Sequence, residues 1–238
     1  MTVKAAPPKS KSAQPKKAAS KTPSHKSLAP PVAPANIPIT PAEIPQPRLC
    51  LSHRWLWTVD EFVKAYDLGA FGLETKLELI EGEIIRKMGQ NEPHSYAILA
   101  ALEILQRIFS QGHSVRPQLP LVLSSSSRPE PGLAVVVGSF NDYKTSHPKT
   151  AVLVVEVSDS TLAMDRSAKA ALYARAGIAE YWIINLPDSV LEVHRQPAPM
   201  TDQPLGHHYR SITRLTKGDT LSPLAQPDSH IAVADLLP

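Results

Sequence analysis

Residues 152–185 read VLVVEVSDSTLAMDRSAKAALYARAGIAEYWIIN, and this stretch decides the fold. It opens on Val152, Leu153, Val154 and Val155, apolar on both faces, as a strand inside a sheet requires. The run stops on a carboxylate, Glu156. Ser158, Asp159, Ser160 and Thr161 follow and suit a strand-to-helix turn. A helix then carries Lys169 and ends near Gly177, a good left-handed cap. Tyr181, Trp182, Ile183 and Ile184 make a second β-rich run. The pattern is a βαβ unit with an acid at the carboxyl end of its first strand, where open α/β sheets usually place their sites.

Upstream, residues 133–137 form a short, fully apolar run and predict another interior strand. Residues 114–123 are strand-like, but Pro117 and Pro120 predict an edge or bent strand. Residues 91–111 predict a helix with Ile98, Leu102, Leu105 and Phe109 as its buried stripe. Leu77-Glu78-Leu79-Ile80, Glu81-Gly82 and Glu83-Ile84-Ile85 read as a tight hairpin, with Gly82 taking a positive φ. Thr58-Val59-Asp60-Glu61 fits a capping box before a helix that runs to Asp67 and is ended by Gly69 and Gly72. Downstream, residues 190–195 and 208–215 read as strands, and 231–237 as a short closing segment.

At 238 residues, 42% of them hydrophobic, the chain has length for one ordinary domain with an appendage. That appendage is residues 1–47, which hold eleven of the 24 prolines and seven lysines against one acid, Glu43. The segment is too poor in packable apolar surface to offset its ordering entropy and is expected to be a disordered basic tail. The expected folded domain, 48–238, then carries 18 basic against 21 acidic residues, so it is not a DNA-coating surface by charge alone. No apolar run is long enough to span a bilayer, and no signal-peptide pattern opens the chain. The single cysteine, Cys50, leaves no internal disulfide, so a cytoplasmic location is expected.

The acids carry the candidate chemistry. Glu78 lies in the hairpin, Glu156 ends a central strand, and Lys169 comes one helix later. Carboxylates from neighbouring strand ends can hold Mg²⁺, a hard cation that prefers oxygen. Such an ion polarises a phosphodiester, and a nearby lysine stabilises developing negative charge. Simpler readings stand beside these. Glu156 could face solvent, Glu78 could be a solvated hairpin residue like Glu81 and Glu83, and Lys169 could form a surface ion pair with Asp165 four residues earlier. Tyr173 and Trp182 read as core, Ser158, Ser160 and Thr161 as turn and cap residues, and His94 as a partly buried histidine.

In combination, Leu77-Glu78-Leu79-Ile80-Glu81-Gly82-Glu83, Val154-Val155-Glu156-Val157-Ser158-Asp159-Ser160-Thr161, Asp165-Arg166 with Lys169, and Tyr173-Ala174-Arg175-Ala176-Gly177-Ile178 with Glu180-Tyr181-Trp182 resemble the Uma-two family of endonucleases. That family belongs to the PD-(D/E)XK restriction-endonuclease-like superfamily. The resemblance implies an α/β fold, a central mixed β-sheet flanked by helices. It also implies a site in which Glu78, Glu156 and Lys169 are catalytic and Glu78 and Glu156 hold Mg²⁺, with DNA as the partner. Many nucleases of the superfamily pair to cut both strands, so a homodimer is compatible with it.

One position departs from the pattern. Pro131 is followed by Gly132 where the family places a metal-binding aspartate. Glycine has no side-chain oxygen, so one ligand is lost. Glu130, two residues earlier, would share a face with position 132 in an extended strand and could reach inward. Two functions follow as expectations: a Mg²⁺-dependent endonuclease impaired at Gly132, or a catalytically inactive member that binds nucleic acid or protein.

Overall fold

The computed structural model describes residues 54–72 and 75–238. The expected tail, 1–47, lies outside the described residues. The first helix, α1 (Val59–Asp67), begins as the capping box predicts: the Thr58 side chain accepts the Glu61 N–H, and the Glu61 side chain accepts the Thr58 N–H. The hairpin follows as β1 (Leu77–Ile80) and β2 (Glu83–Arg86), in register with Leu79 opposite Ile84. Both turn residues take positive φ, 51° at Glu81 and 79° at Gly82, as a two-residue I′ turn requires. A Cβ on Gly82 would also fall 2.7 Å from the Leu56 Cβ, so no side chain fits there.

Helix α2 (Glu92–Ile108) starts at its N-cap Asn91, whose side chain accepts the His94 N–H, and stops a few residues short of the expected end. Strand β3 (His113–Pro117) is an edge strand, as its prolines predict, but it ends at Pro117 and not at the expected residue 123. Then come β4 (Leu133–Val137) and β5 (Leu153–Ser158). Strand β5 runs two residues beyond Glu156, so the acid lies inside the strand and not at its end. The crossover comprises α3 (Leu162–Met164), a π turn (Asp165–Lys169) and α4 (Ala170–Arg175). It leads through Gly177, φ 73°, into β6 (Glu180–Asn185). Strands β7 (Val190–Pro199) and β8 (His207–Leu215) complete the main sheet. The closing segment is a short pair, β9 (Thr220–Leu221) with β10 (Ile231–Ala232), followed by a 3₁₀ turn.

The six strands lie in the order β3-β4-β5-β6-β7-β8. Only β5 and β6 are parallel, with Val155 beside Trp182; the other neighbours are antiparallel. A parallel pair needs a crossover, and the helix supplies it. Alternation along β5 sends Val155 and Val157 into a core with Ile98 and Leu105 of α2, while Val154 packs with Tyr173 and Tyr181 on the opposite face. Both faces are covered, which is why β5 reads as a continuous apolar run. A third, smaller cluster joins Val59 and Phe62 of α1 to Leu77 and Leu79 of the hairpin.

Candidate active site

Glu156 shares a face with Val154 and so points toward the crossover helix. Its Oε1 accepts hydrogen bonds from Lys169 Nζ at 3.0 Å and from the Tyr173 hydroxyl at 2.8 Å. Its Oε2 accepts the Gly132 N–H at 3.0 Å. Glu78 arrives from β1: its Oε1 lies 3.0 Å from Lys169 Nζ, and its Oε2 accepts the Glu130 N–H at 3.1 Å. The three residues singled out in the sequence therefore meet, and all are buried. The solvated reading of Glu78 and the surface-pair reading of Lys169 are both wrong for this chain.

The π turn explains the placement of Lys169. The Ala170 N–H bonds back to the Asp165 carbonyl, five residues earlier, and the widened turn carries Asp165 and Lys169 inward together. Asp165 is 1% exposed. Its Oδ2 accepts from Ser158 Oγ and Thr161 Oγ1, both at 2.6 Å. Its Oδ1 lies 3.7 Å from Lys169 Nζ and has no hydrogen-bond partner. Three carboxylates thus surround one ammonium.

The electrostatics follow from that arrangement. Burial works against the Glu156 carboxylate, but the charges of Lys169 and Lys87 and the bonds from Lys169 and Tyr173 hold it below its ordinary value. Burial likewise works against the Lys169 ammonium, and Glu156, Glu78 and Asp165 together keep it protonated far beyond neutrality. Asp165 is pushed up to about 6, first by burial and then by the Glu156 charge.

These side chains line a cleft of about 90 Å³, shared with His94 and Gly132. His94 has a buried Nδ1 without a partner, and burial lowers its pKa.

Gly132 sits where the family pattern expects the aspartate. Its φ lies outside the left-handed region, so its neighbours set the constraint. An added Cβ would stand 2.9 Å from Ile98 Cδ1 and 3.0 Å from the Val155 carbonyl oxygen. Glu130 serves the site through its backbone: its N–H goes to Glu78, and its carbonyl accepts Lys87 Nζ at 2.6 Å. Its carboxylate pairs with Arg128 at 3.2 Å.

The donor set suits Mg²⁺ in kind, because Glu78 and Glu156 present hard carboxylate oxygens. Among the described residues, no three Asp, Glu, His or Cys side chains already converge closely enough to hold a metal ion.

Several contributors escaped the sequence reading. Tyr173 is core, and its hydroxyl also holds Glu156. Ser158 and Thr161 anchor Asp165. Glu81 is not solvated: Arg175 at the end of α4 and Ser127 both donate to its Oε1, which braces the hairpin against the crossover helix. Glu83 stays exposed. His208 Nε2 lies 3.1 Å from the Arg166 carbonyl.

Over residues 59–234, from α1 to the final 3₁₀ turn, the chain matches the Uma2 family, described as "Putative restriction endonuclease". The chain belongs to the Uma2 family. The motifs around Glu78, Glu156 and Lys169 all fall within the matched Uma2 region. Among solved structures, the Uma2 chain is similar to one described as "a putative nuclease belonging to DUF820" from Anabaena variabilis ATCC 29413. The TM-score is 0.56 and the identity 17%, over 76% of this chain and 97% of that one. The likeness establishes the fold. No curated protein matches the Uma2 chain. No helix among the described residues is long and apolar enough to cross a membrane.

Proposed function

We propose that this Uma2 protein is a Mg²⁺-dependent DNA endonuclease that hydrolyses phosphodiester bonds in the cleft of Glu78, Glu156 and Lys169. The observation that carries the reading is the meeting of both glutamates, from separate elements, on one buried lysine. Glu78 and Glu156 would hold a divalent ion, which would supply Lewis-acid polarisation of the phosphate and a water of lowered pKa. The chain's own groups do the rest. Tyr173 and the Gly132 N–H keep Glu156 ionised and aimed. Lys169 brings a fixed positive charge to the oxygens that gain negative charge as the phosphate is attacked. Gly132 offers no side-chain oxygen, so cation binding and turnover are weaker than the family pattern implies.

The test is nicking of plasmid DNA with Mg²⁺. Activity in the natural chain that is lost in Glu156→Ala supports the reading; cleavage that persists in Glu156→Ala rules out this site. Cutting of both strands would call for a homodimer, checked by sedimentation with a DNA duplex.

A second reading rests on Gly132 and on the protein partner that every Glu78 and Glu156 oxygen already has. It is a catalytically inactive member that binds nucleic acid or a protein partner. Assaying the natural chain beside Gly132→Asp separates the two. Mg²⁺-dependent nicking that appears only in the variant means that the natural chain is inactive for want of that ligand.

A further inference from the structure

Lys169 Nζ stands between the two glutamates that a cation would have to share. Any ion that takes those oxygens must first be yielded them by the ammonium. A buried ammonium cannot be left unpaired without a cost of several kcal/mol. It therefore needs a second carboxylate within reach.

We propose that Asp165 is a positioning residue for Lys169: its Oδ1 is a second seat for the ammonium, occupied when Glu78 and Glu156 turn their oxygens to a divalent cation. The inference rests on the nuclease reading above and concerns how that site admits its ion.

Three observations carry it. Asp165 Oδ1 is buried and without a hydrogen-bond partner, although a carboxylate oxygen in that state costs free energy. It lies 3.7 Å from Nζ, against 3.0 Å for each glutamate oxygen, so a shift of the ammonium by about one ångström would exchange partners. The other Asp165 oxygen is pinned by Ser158 and Thr161, which fixes the direction of Oδ1. Lysine suits the task, being a compact charge with rotatable donors on a flexible stem; the fixed fork of arginine would not.

The experiment is calorimetric titration with Mn²⁺ of the natural chain, D165N, K169M and the double variant. Asp165→Asn is expected to weaken Mn²⁺ binding about tenfold, in the range typical of groups that orient a metal's ligands. In the K169M background the same change is expected to do nothing, because the competitor is gone. Equal affinity of the natural chain and D165N overturns the inference and leaves the nuclease reading intact. An equal loss in the K169M background also overturns it, since Asp165 would then act on the ion directly. Absence of Mn²⁺ binding in every variant defeats the cation part of the nuclease reading, and this inference with it.

K169M leaves two carboxylates without their cation, so a second readout uses the natural chain and D165N alone. The side-chain ammonium NMR signal of Lys169 should move on addition of Mg²⁺ in both, but in D165N at about tenfold higher Mg²⁺ and to a different end point. A signal that moves equally in both overturns the proposal.

Discussion

Lys169 Nζ lies 3.0 Å from Glu78 Oε1, and this contact ties the β1–β2 hairpin to the crossover helix between β5 and β6. The same nitrogen holds Glu156 at 3.0 Å. Lys169→Met would leave both buried carboxylates without their cation. Breaking a buried pair by removing one partner costs about 3–5 kcal/mol. Urea unfolding at pH 7 is expected to show a loss of that size. A loss below about 1 kcal/mol, the scale of a surface pair, would contradict the burial of this cluster.

Tyr173→Phe keeps the ring that packs between Val154 and Tyr181 and deletes only the hydroxyl that bonds Glu156. A hydrogen bond to a charged group contributes roughly 2 kcal/mol. The variant should lose about that much at pH 7, with near-natural circular dichroism. Nuclease activity, assayed in parallel, should fall with it, because Glu156 loses one of the groups that hold it ionised.

Gly132→Asp is expected to be destabilising even if it restores chemistry. Its Cβ meets Ile98 Cδ1 at 2.9 Å, and overpacking of this kind costs about 1–3 kcal/mol. Ile98→Val deletes that very atom. Melting temperatures should therefore show the Ile98→Val, Gly132→Asp double variant to be more stable than the sum of the single changes predicts. Simple additivity would mean that the crowding lies with the Val155 carbonyl instead.

His194 supplies a pH-dependent prediction away from the cleft. It is 1% exposed, packs among Tyr181, His208 and Tyr209, and finds no partner for either ring nitrogen. Burial, opposed by the Glu192 carboxylate 3.9 Å away and reinforced by His208 and Arg166, lowers its pKa to about 4 from 6.5. Between those values the unfolded chain binds more protons than the folded one. Stability is therefore intact above pH 6.5 and declines as pH falls through 4, by about 3 kcal/mol in all. His194→Phe should abolish that decline when denaturation midpoints are compared at each pH. Asp165 acts in the opposite sense: its raised pKa favours the folded state below pH 3.8, and that gain is lost as pH rises through about 6. Comparing variant with natural chain at the same pH cancels this term.

The parts of the fold that were legible in the sequence are those with local causes. The Thr58–Glu61 capping box, the Glu81-Gly82 turn and the apolar runs of β4 and β5 each follow from backbone chemistry within a few residues. Glu156 and Lys169 were legible as a site mainly through the family motifs. The extent of β5 was not, because Glu156 and Ser158 interrupt its apolar pattern. The strand continues because Ser158 is satisfied by Asp165 and Glu156 by Lys169, both distant in sequence.

Asp165 was the hardest to read. An acid four residues before a lysine looks the same on a solvated helix as in a buried π turn. What separates the two is the covering hairpin, and only tertiary structure supplies it. Glu81 misled for the same reason, since its partner Arg175 lies at the far end of the crossover.

The β1–β2 hairpin forms no backbone ladder with the six-stranded sheet and packs in its own small cluster with α1. Glu78 thus sits outside the main sheet that carries Glu156, held by side-chain pairs and loop hydrogen bonds. In native-state hydrogen exchange, the amides of Leu79 and Gly82 should open in partial excursions that leave those of Val155 and Ile183 shut. If they do, the acidic pair comes apart through the hairpin alone, without global unfolding.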